Sequence, residues 1–141
     1  MHVTIRRIDT ELPLPKYETA GAVAFDLICR TTTTIAPKTV ALLPSNVVVV
    51  VPEGYALLLN SRSSTARKRG LLVPLGIIDQ DYCGQDDELL LQVLNFSDAP
   101  VTIERGERVG QALLVKIERA KWNEVTELSA PSRGGFGTTG V

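Results

Sequence analysis

Residues 71–95 read LLVPLGIIDQDYCGQDDELLLQVLN, and this stretch decides the fold. Its two apolar runs, LLVPL and ELLLQVL, each have the length and composition of a buried strand. Between them, GIIDQDYCG (76–84) places Asp79 and Asp81 two residues apart, with Tyr82 beside them. If this insert were extended, both carboxylates would share one face, where they repel unless a cation or solvent offsets them. Because Asp and Gly are common in turns, the simplest interpretation of the insert alone is a hairpin turn.

Similar short segments rich in β-branched residues continue on both sides of this stretch. They are HVTIRRI, AVAFDLI, TVALL, NVVVVV, YALLLN, VTI and RVGQALLVKI, separated by turn sequences such as APKT, LPSN, VPEG, FSDAP and ERGER. This spacing predicts an all-β, jelly-roll-like barrel or sandwich. Strands that are apolar throughout predict burial on both faces, either between sheets or at a subunit interface.

Signals for helices are almost absent from the chain. One short helix is predicted at SSTARKRG (63–70), where Ser63 or Ser64 can cap the first turn and Gly70 can close the last. The segment KWNEV (121–125) is ambiguous, and we interpret it as a strand. From Ser129 onward, small and glycine residues predict a flexible arm with no role in the core.

The composition excludes several classes of function. The 141 residues carry a net charge of −1, so there is no global basic field for nucleic-acid binding. The apolar run 47–51 is too short to span a bilayer, and the charged N-terminus does not resemble a secretory signal. Cys29 and Cys83 are interpreted as free thiols, and the single histidine, His2, argues against a zinc site. We therefore expect a soluble, cytoplasmic protein of one domain, with no nucleic-acid or membrane partner.

Two segments could bind anions. NSRSSTARKRG (60–70) gathers basic residues and hydroxyls at a predicted helix start, which indicates either an anion site or a solvated basic face. GFGTTG (135–140) matches G-x-G-x-x-G, but it opens no helix, so it is not a dinucleotide-binding fingerprint. Its glycines would still allow backbone amides to approach a phosphate closely.

Taken in order, five short motifs resemble those of the trimeric dUTP diphosphatase family. They are AGAVAFDL (20–27), SRSSTA (61–66), GIIDQDYCG (76–84), GERVGQ (106–111) and RGGFGTTG (133–140). The resemblance implies a β jelly roll over residues 1–128, followed by a glycine-rich arm over 129–141. It also implies a homotrimer with three shared sites. One subunit would supply the first, second and fourth motifs, a neighbour the third, and the remaining subunit the arm.

The same resemblance implies an activity, the hydrolysis of dUTP to dUMP and pyrophosphate with Mg²⁺. Asp79 would activate the attacking water, and the ring of Tyr82 would pack beneath the deoxyribose and exclude a 2′-hydroxyl. Asp26 would orient the metal through its water shell. The remaining residues implied in substrate binding are Arg62, Ser63, Ser64 and Gln111 for phosphates, Gly76 and Ile78 in the uracil-reading segment, Phe136 for stacking on the base, and Arg133, Gly135, Gly137 and Thr138 in the closing arm.

The chain departs from the family pattern at the third motif, and three further functions stay open. About three extra residues lie between Gly84 and Asn95 and bring acidic side chains near the insert, while Pro74 and Leu75 replace smaller residues. The first open function is a dCTP deaminase, or a bifunctional deaminase and dUTPase, which shares the RSS-x-AR sequence, although Gln92 stands where its catalytic Glu would be. The second is a broader deoxynucleoside triphosphate pyrophosphatase, and the third is a non-catalytic nucleotide-sensing trimer.

Overall fold

The computed structural model describes residues 1–135, in which β-strands dominate. The strands are β1 (Ile5–Arg7), β2 (Phe25–Ile28), β3 (Thr33–Ile35), β4 (Val40–Pro44), β5 (Val47–Val49), β6 (Tyr55–Ser61), β7 (Leu71–Leu72), β8 (Gly76–Ile78), β9 (Leu90–Asn95), β10 (Val101–Ile103) and β11 (Arg108–Lys116). One helix within this range, α1 (Thr65–Arg69), interrupts them. The predicted all-β fold with at most one short helix is confirmed.

The strands form four antiparallel sheets. The largest has the order β2-β11-β6-β8, and a three-stranded sheet has the order β4-β9-β7. Two small sheets, β1-β5 and β10-β3, complete the sandwich. The long β11 pairs along its length with β6, so β11 and β6 form the centre of the large sheet.

The core lies between these sheets and consists of branched aliphatic side chains. Leu27, Leu57 and Leu91 come from β2, β6 and β9 and are fully buried. All three residues of β5 are buried, as its apolar sequence predicted. The alternation of exposed and buried residues in β9 places one of its faces on the core and the other outside.

The polar insert is not a simple hairpin, and that interpretation was wrong in its pairing. β8 pairs with β6, at Ile78↔Leu57 and Gly76↔Leu59, whereas β9 pairs with β4 and β7. The insert therefore crosses from one sheet to the other. The turn itself is present, because the amide of Tyr82 donates to the carbonyl of Asp79 at 3.4 Å, so Asp79 and Asp81 do not lie on one extended strand.

The predicted strand at KWNEV (121–125) is also wrong. The described chain forms no strand or helix after Lys116, and residues 118–134 are all exposed. Trp122 is 93% exposed and Leu128 83% exposed. An isolated segment cannot form a stable strand without a neighbour to accept its backbone hydrogen bonds.

The single helix follows its prediction at one end only. Gly70 closes it in the left-handed conformation, with φ of 65°, as expected for a C-terminal glycine. Ser64 occupies the N-cap position, but its side chain makes no capping hydrogen bond. No helix within residues 1–135 is long and apolar enough to cross a membrane.

Candidate active site

Three strands of the large sheet bring polar residues into one row. Asp26 on β2 lies opposite Gln111 on β11, and Gln111 lies opposite Asn60 on β6. Directly opposed residues of an antiparallel pair present their side chains on the same face. The side-chain amide of Gln111 also donates from Nε2 to the backbone carbonyl of Ser61 at 2.9 Å. The first, second and fourth motifs are therefore adjacent within one chain.

Asp26 accepts hydrogen bonds from two arginines. Arg62 donates from Nε to Oδ1 at 2.8 Å, and Arg108 donates from Nη1 to Oδ2 at 3.2 Å. Arg108 also pairs with Glu18 at 3.0 Å. The side chain of Asp26 is 13% exposed, so these charge-assisted bonds are partly shielded from solvent. Within residues 1–135, no group accepts a hydrogen bond from the two terminal nitrogens of Arg62, which leaves them available for an anion.

The start of α1 borders a cavity of about 250 Å³. Cationic side chains dominate its polar lining, which comprises Arg62, Lys68, Arg69 and Arg108 together with Ser64, Thr65 and Glu107. Ser63 is exposed and Ser64 is half-buried. Because the Ser64 hydroxyl caps nothing, it can donate to a ligand in this cavity. Positive charge and hydroxyl donors together favour a phosphate over an apolar ligand.

A bulge in β11 holds the helix against the sheet. The register shifts between Arg108 and Gly110, and the hydroxyl of Thr65, which is buried, donates to the carbonyl of Val109 at 2.9 Å. At Gly110, an added Cβ would lie 3.0 Å from Cδ2 of Leu91 and 3.2 Å from the carbonyl of Asn60. Glycine at this position therefore allows the strands and the core to approach closely.

Asp79 lies at the other end of β6. It follows Ile78, which pairs with Leu57, whereas Arg62 follows the last residue of β6. At about 3.4 Å per residue, the two positions are roughly 20 Å apart along the strand. Asp79 is exposed and borders a separate cavity of about 420 Å³, which is also lined by Tyr55, Gln80, Asp81 and Arg119.

Tyr82 lies just beyond the turn, with 36% of its surface exposed. Its hydroxyl donates to the carbonyl of Glu88 at 3.1 Å. Gly76 and Ile78, implied in reading the base, form the two ends of β8. The third motif therefore forms a unit of its own, separate from the row that contains Asp26.

The structure describes only the first part of the glycine-rich arm. Arg133 is exposed, and Gly135 is half-buried. Phe136, Gly137 and Thr138 lie outside the described residues, as does the expected flexibility of the arm beyond Gly135. The roles of these residues stay predictions.

Sequence reasoning did not assign a role to three residues that support the Asp26 row. Arg108 and Glu18 complete the ion pairs around Asp26, and Thr65 ties α1 to β11. Arg108 lies inside the fourth motif, so the motif itself was a signal. Glu18 precedes the first motif in an irregular segment, and nothing in its local sequence indicates that it would reach Arg108.

Comparison with known proteins assigns the chain to a family. A family model described as dUTPase matches residues 10–140. The deoxyuridine 5'-triphosphate nucleotidohydrolase of Thermobifida fusca (strain YX) is 38% identical over 145 residues, which covers 99% of this chain and 79% of the relative.

The same enzyme of Dictyoglomus turgidum (strain DSM 6724 / Z-1310) is 37% identical over 149 residues, covering 100% of this chain and 99% of the relative. Among solved structures, the dUTPase of Staphylococcus bacteriophage 80alpha with dUPNHPP matches with a TM-score of 0.89 at 25% identity, covering 99% of both chains. The chain therefore belongs to the dUTPase family.

Proposed function

We propose that this protein hydrolyses dUTP to dUMP and pyrophosphate. Two relatives, each similar to nearly the whole chain, are named deoxyuridine 5'-triphosphate nucleotidohydrolase. The observation that carries the proposal is the Arg62–Asp26 pair beside an uncapped helix start. It fixes a guanidinium and leaves the Ser64 hydroxyl at the edge of a cationic cavity. This arrangement suits a polyphosphate, because each negative oxygen finds a charged or hydroxyl donor.

The donor set fits Mg²⁺ only if the substrate supplies most of its ligands. Within residues 1–135 there is no group of three or more His, Cys, Asp or Glu side chains that could hold a metal. Both oxygens of Asp26 already accept hydrogen bonds from arginines. This agrees with contact through coordinated water, which is common for Mg²⁺ bound to nucleotide phosphates. When bound, Mg²⁺ would neutralise charge on the triphosphate and so favour attack at phosphorus.

The two halves of the site require assembly of several chains. Asp79 and Arg62 are separated by roughly 20 Å along β6, which is too far for both to contact one α-phosphorus. A homotrimer with shared sites would bring Asp79 and Tyr82 of one subunit to the Asp26 row of another. The outer face of the β4-β9-β7 sheet supports association, because Leu42, Leu72 and Leu90 are 61%, 40% and 41% exposed.

In the reaction, Asp79 acts as the general base. Its carboxylate takes a proton from water as the water oxygen bonds to the α-phosphorus. The bond from that phosphorus to the bridging oxygen then breaks, and pyrophosphate leaves with the electron pair. Arg62, Ser63, Ser64 and Gln111 hold the phosphates. Tyr82 packs against the deoxyribose, and the backbone around Gly76 and Ile78 reads uracil.

The arm, residues 129–141, closes over the nucleotide. Arg133 would contact phosphate, Phe136 would stack on uracil, and Gly135, Gly137 and Thr138 would bring backbone and hydroxyl donors close to the ligand. Closure of this kind excludes water and fixes the phosphates. We therefore expect deletion of residues 133–141 to lower kcat for dUTP steeply while the melting temperature stays nearly unchanged. A truncated protein that unfolds, or one that retains full turnover, would contradict this role.

The direct test of the activity is pyrophosphate release from a panel of nucleotides with Mg²⁺. We expect dUTP to be hydrolysed far faster than dCTP, dTTP or UTP, with dUMP as the nucleoside product. Equal rates with all four would indicate a broad pyrophosphatase, and ammonia release from dCTP would indicate a deaminase. Binding of dUTP without turnover would indicate a nucleotide sensor.

The shared site has its own test, in which two inactive variants complement each other. Asp79→Asn and Asp26→Asn chains are each purified, mixed in equal amounts, unfolded and refolded together. In a cyclic trimer assembled at random, about a quarter of the sites receive both native carboxylates, so about a quarter of wild-type turnover should return. If each chain contained a complete site, the mixture would stay inactive.

A further inference from the structure

Glu88 lies between the GIIDQDYCG insert and β9, and its carboxylate accepts three hydrogen bonds. Arg30 donates two parallel hydrogen bonds to the carboxylate, from Nε to Oε1 at 2.9 Å and from Nη2 to Oε2 at 2.8 Å. The amide of Asn46 donates to the same Oε1 at 2.7 Å. The Glu88 side chain is only 12% exposed. Such a two-point contact fixes both the position and the orientation of the carboxylate.

The anchors of Glu88 are themselves held rigidly. Asn46 is fully buried and has a φ of 74°, a left-handed conformation that asparagine tolerates better than most residues. Its side chain accepts a hydrogen bond from the amide of Asp9 at 2.7 Å and donates to the carbonyl of Asp9 at 3.0 Å. The amide of Arg30 donates to the carbonyl of Pro44 at 2.7 Å. The carboxylate is therefore attached to the body of the sandwich.

The backbone of Glu88 connects this anchor to the proposed sugar-binding ring. Its carbonyl accepts the hydrogen bond from the Tyr82 hydroxyl at 3.1 Å. The neighbouring Asp87 accepts from the amide of Gly84 at 2.6 Å, which holds the connecting segment compact. The exposed ring of Tyr82 is thus attached at its backbone and at its hydroxyl. Without the second attachment, the ring could rotate about its side-chain torsions.

We infer that Glu88 is a positioning residue for sugar discrimination, because it fixes the Tyr82 ring against the deoxyribose through the Arg30–Glu88–Asn46 network. This inference rests on the proposed function. A ring excludes a 2′-hydroxyl only if its position is fixed. In enzyme sites, even a small displacement from the required geometry lowers the rate. Loosening the anchor should therefore admit ribonucleotides, whereas loss of a purely structural ion pair should lower stability alone.

The test compares kcat/KM for dUTP with kcat/KM for UTP in three variants. Glu88→Gln removes the charge that binds Arg30 and keeps the size of the side chain. We expect the preference for dUTP over UTP to fall by roughly tenfold to a hundredfold, within the discrimination that a packed pocket supplies against one extra group. Tyr82→Phe removes only the hydroxyl and should reduce the preference by a similar factor. The double variant should lose little more, because both changes release the same ring.

Controls separate positioning from stability. Ile35→Val shortens a buried core side chain on β3, which pairs with β10, and should lower the melting temperature while leaving the dUTP-to-UTP ratio at its wild-type value. If Glu88→Gln behaves like Ile35→Val, the inference is overturned. If Glu88→Gln does not fold, Tyr82→Phe still tests the inference. An unchanged ratio of kcat/KM for dUTP to kcat/KM for UTP in that variant also overturns the inference. Wild-type protein that does not hydrolyse dUTP would contradict the proposed function instead.

Discussion

The two halves of the proposed site differ sharply in how they are held. The Asp26 row is built from three paired strands and closed by ion pairs to Arg62 and Arg108. The Asp79 turn is exposed, and its backbone contact to Tyr82 is long, at 3.4 Å. A preassembled half suits the binding of a highly charged triphosphate, because its dipoles need no reorganisation. In the proposed trimer, another chain would complete the exposed half, which contains Asp79 and Tyr82.

The largest effect on turnover is expected from a substitution in the exposed half of the site, which contains Asp79. Asp79→Asn removes the proposed base but keeps the size of the side chain, so turnover of dUTP should fall by about 10²–10⁴-fold. The melting temperature should stay the same, because the Asp79 side chain is exposed and accepts no hydrogen bond within residues 1–135. Steady-state kinetics and thermal melts measure the two effects. Asp81→Asn, two residues further on, is the matched control and should retain turnover. If both variants lose turnover to a similar extent, Asp79 is not the general base.

A substitution in the other half, the Asp26 row with its ion pairs, should lower both activity and stability. Asp26→Asn deprives two guanidinium groups of a charged partner in a site that is mostly shielded from solvent. We expect a loss of about 1–3 kcal/mol in the free energy of unfolding, together with a clear fall in turnover. Denaturant unfolding would measure it, with Asp98→Asn as the control because that carboxylate is 95% exposed in its pair with Lys38. A fully stable Asp26→Asn protein would show that the two halves do not differ as described.

Selectivity should change without a large loss of stability when the exposed half loses its ring. Tyr82→Ala removes a partly exposed side chain and with it the proposed wall against the 2′-hydroxyl. The ratio of kcat/KM for dUTP to that for UTP should fall by at least the factor expected from Glu88→Gln. A folded Tyr82→Ala protein with unchanged selectivity would refute the packing of this ring against the sugar.

The smallest expected effect is a difference in alkylation rate between the two cysteines, one near each half of the site. Cys29 directly follows β2, the strand that carries Asp26, and its burial raises the pKa of its thiol. Cys83 follows Tyr82 and is half-buried. At about pH 8, iodoacetamide should therefore modify Cys83 well before Cys29, since the thiolate is the reactive form. Mass spectrometry of timed samples would follow both. Because the folded pKa of Cys29 is raised, its contribution to stability is complete below the ordinary thiol pKa and is lost as pH rises through the folded value.

The sequence predicted the strands and the family better than it predicted how the strands pair. Local pattern is sufficient for β5 or β9, whose apolar side chains indicate burial directly. It does not indicate that β8 would pair with β6, because a strand's partner depends on distant parts of the chain. The role of Glu88 was hidden for the same reason, since its partner Arg30 is 58 residues away. The strand expected at 121–125 does not form, because no strand within residues 1–135 pairs with this segment.

The position of Asp79 at the opposite end of β6 from the Asp26 row has a genetic consequence. If the halves meet across chain boundaries as proposed, a cell with one normal and one mutant gene copy assembles mixed trimers. A chain mutated at either carboxylate then disables one site of the trimer that it joins. A chain mutated at both disables two, because it supplies half of its own site and half of a neighbour's. The dominance of a mutant allele would therefore depend on whether it damages one half of the site or both.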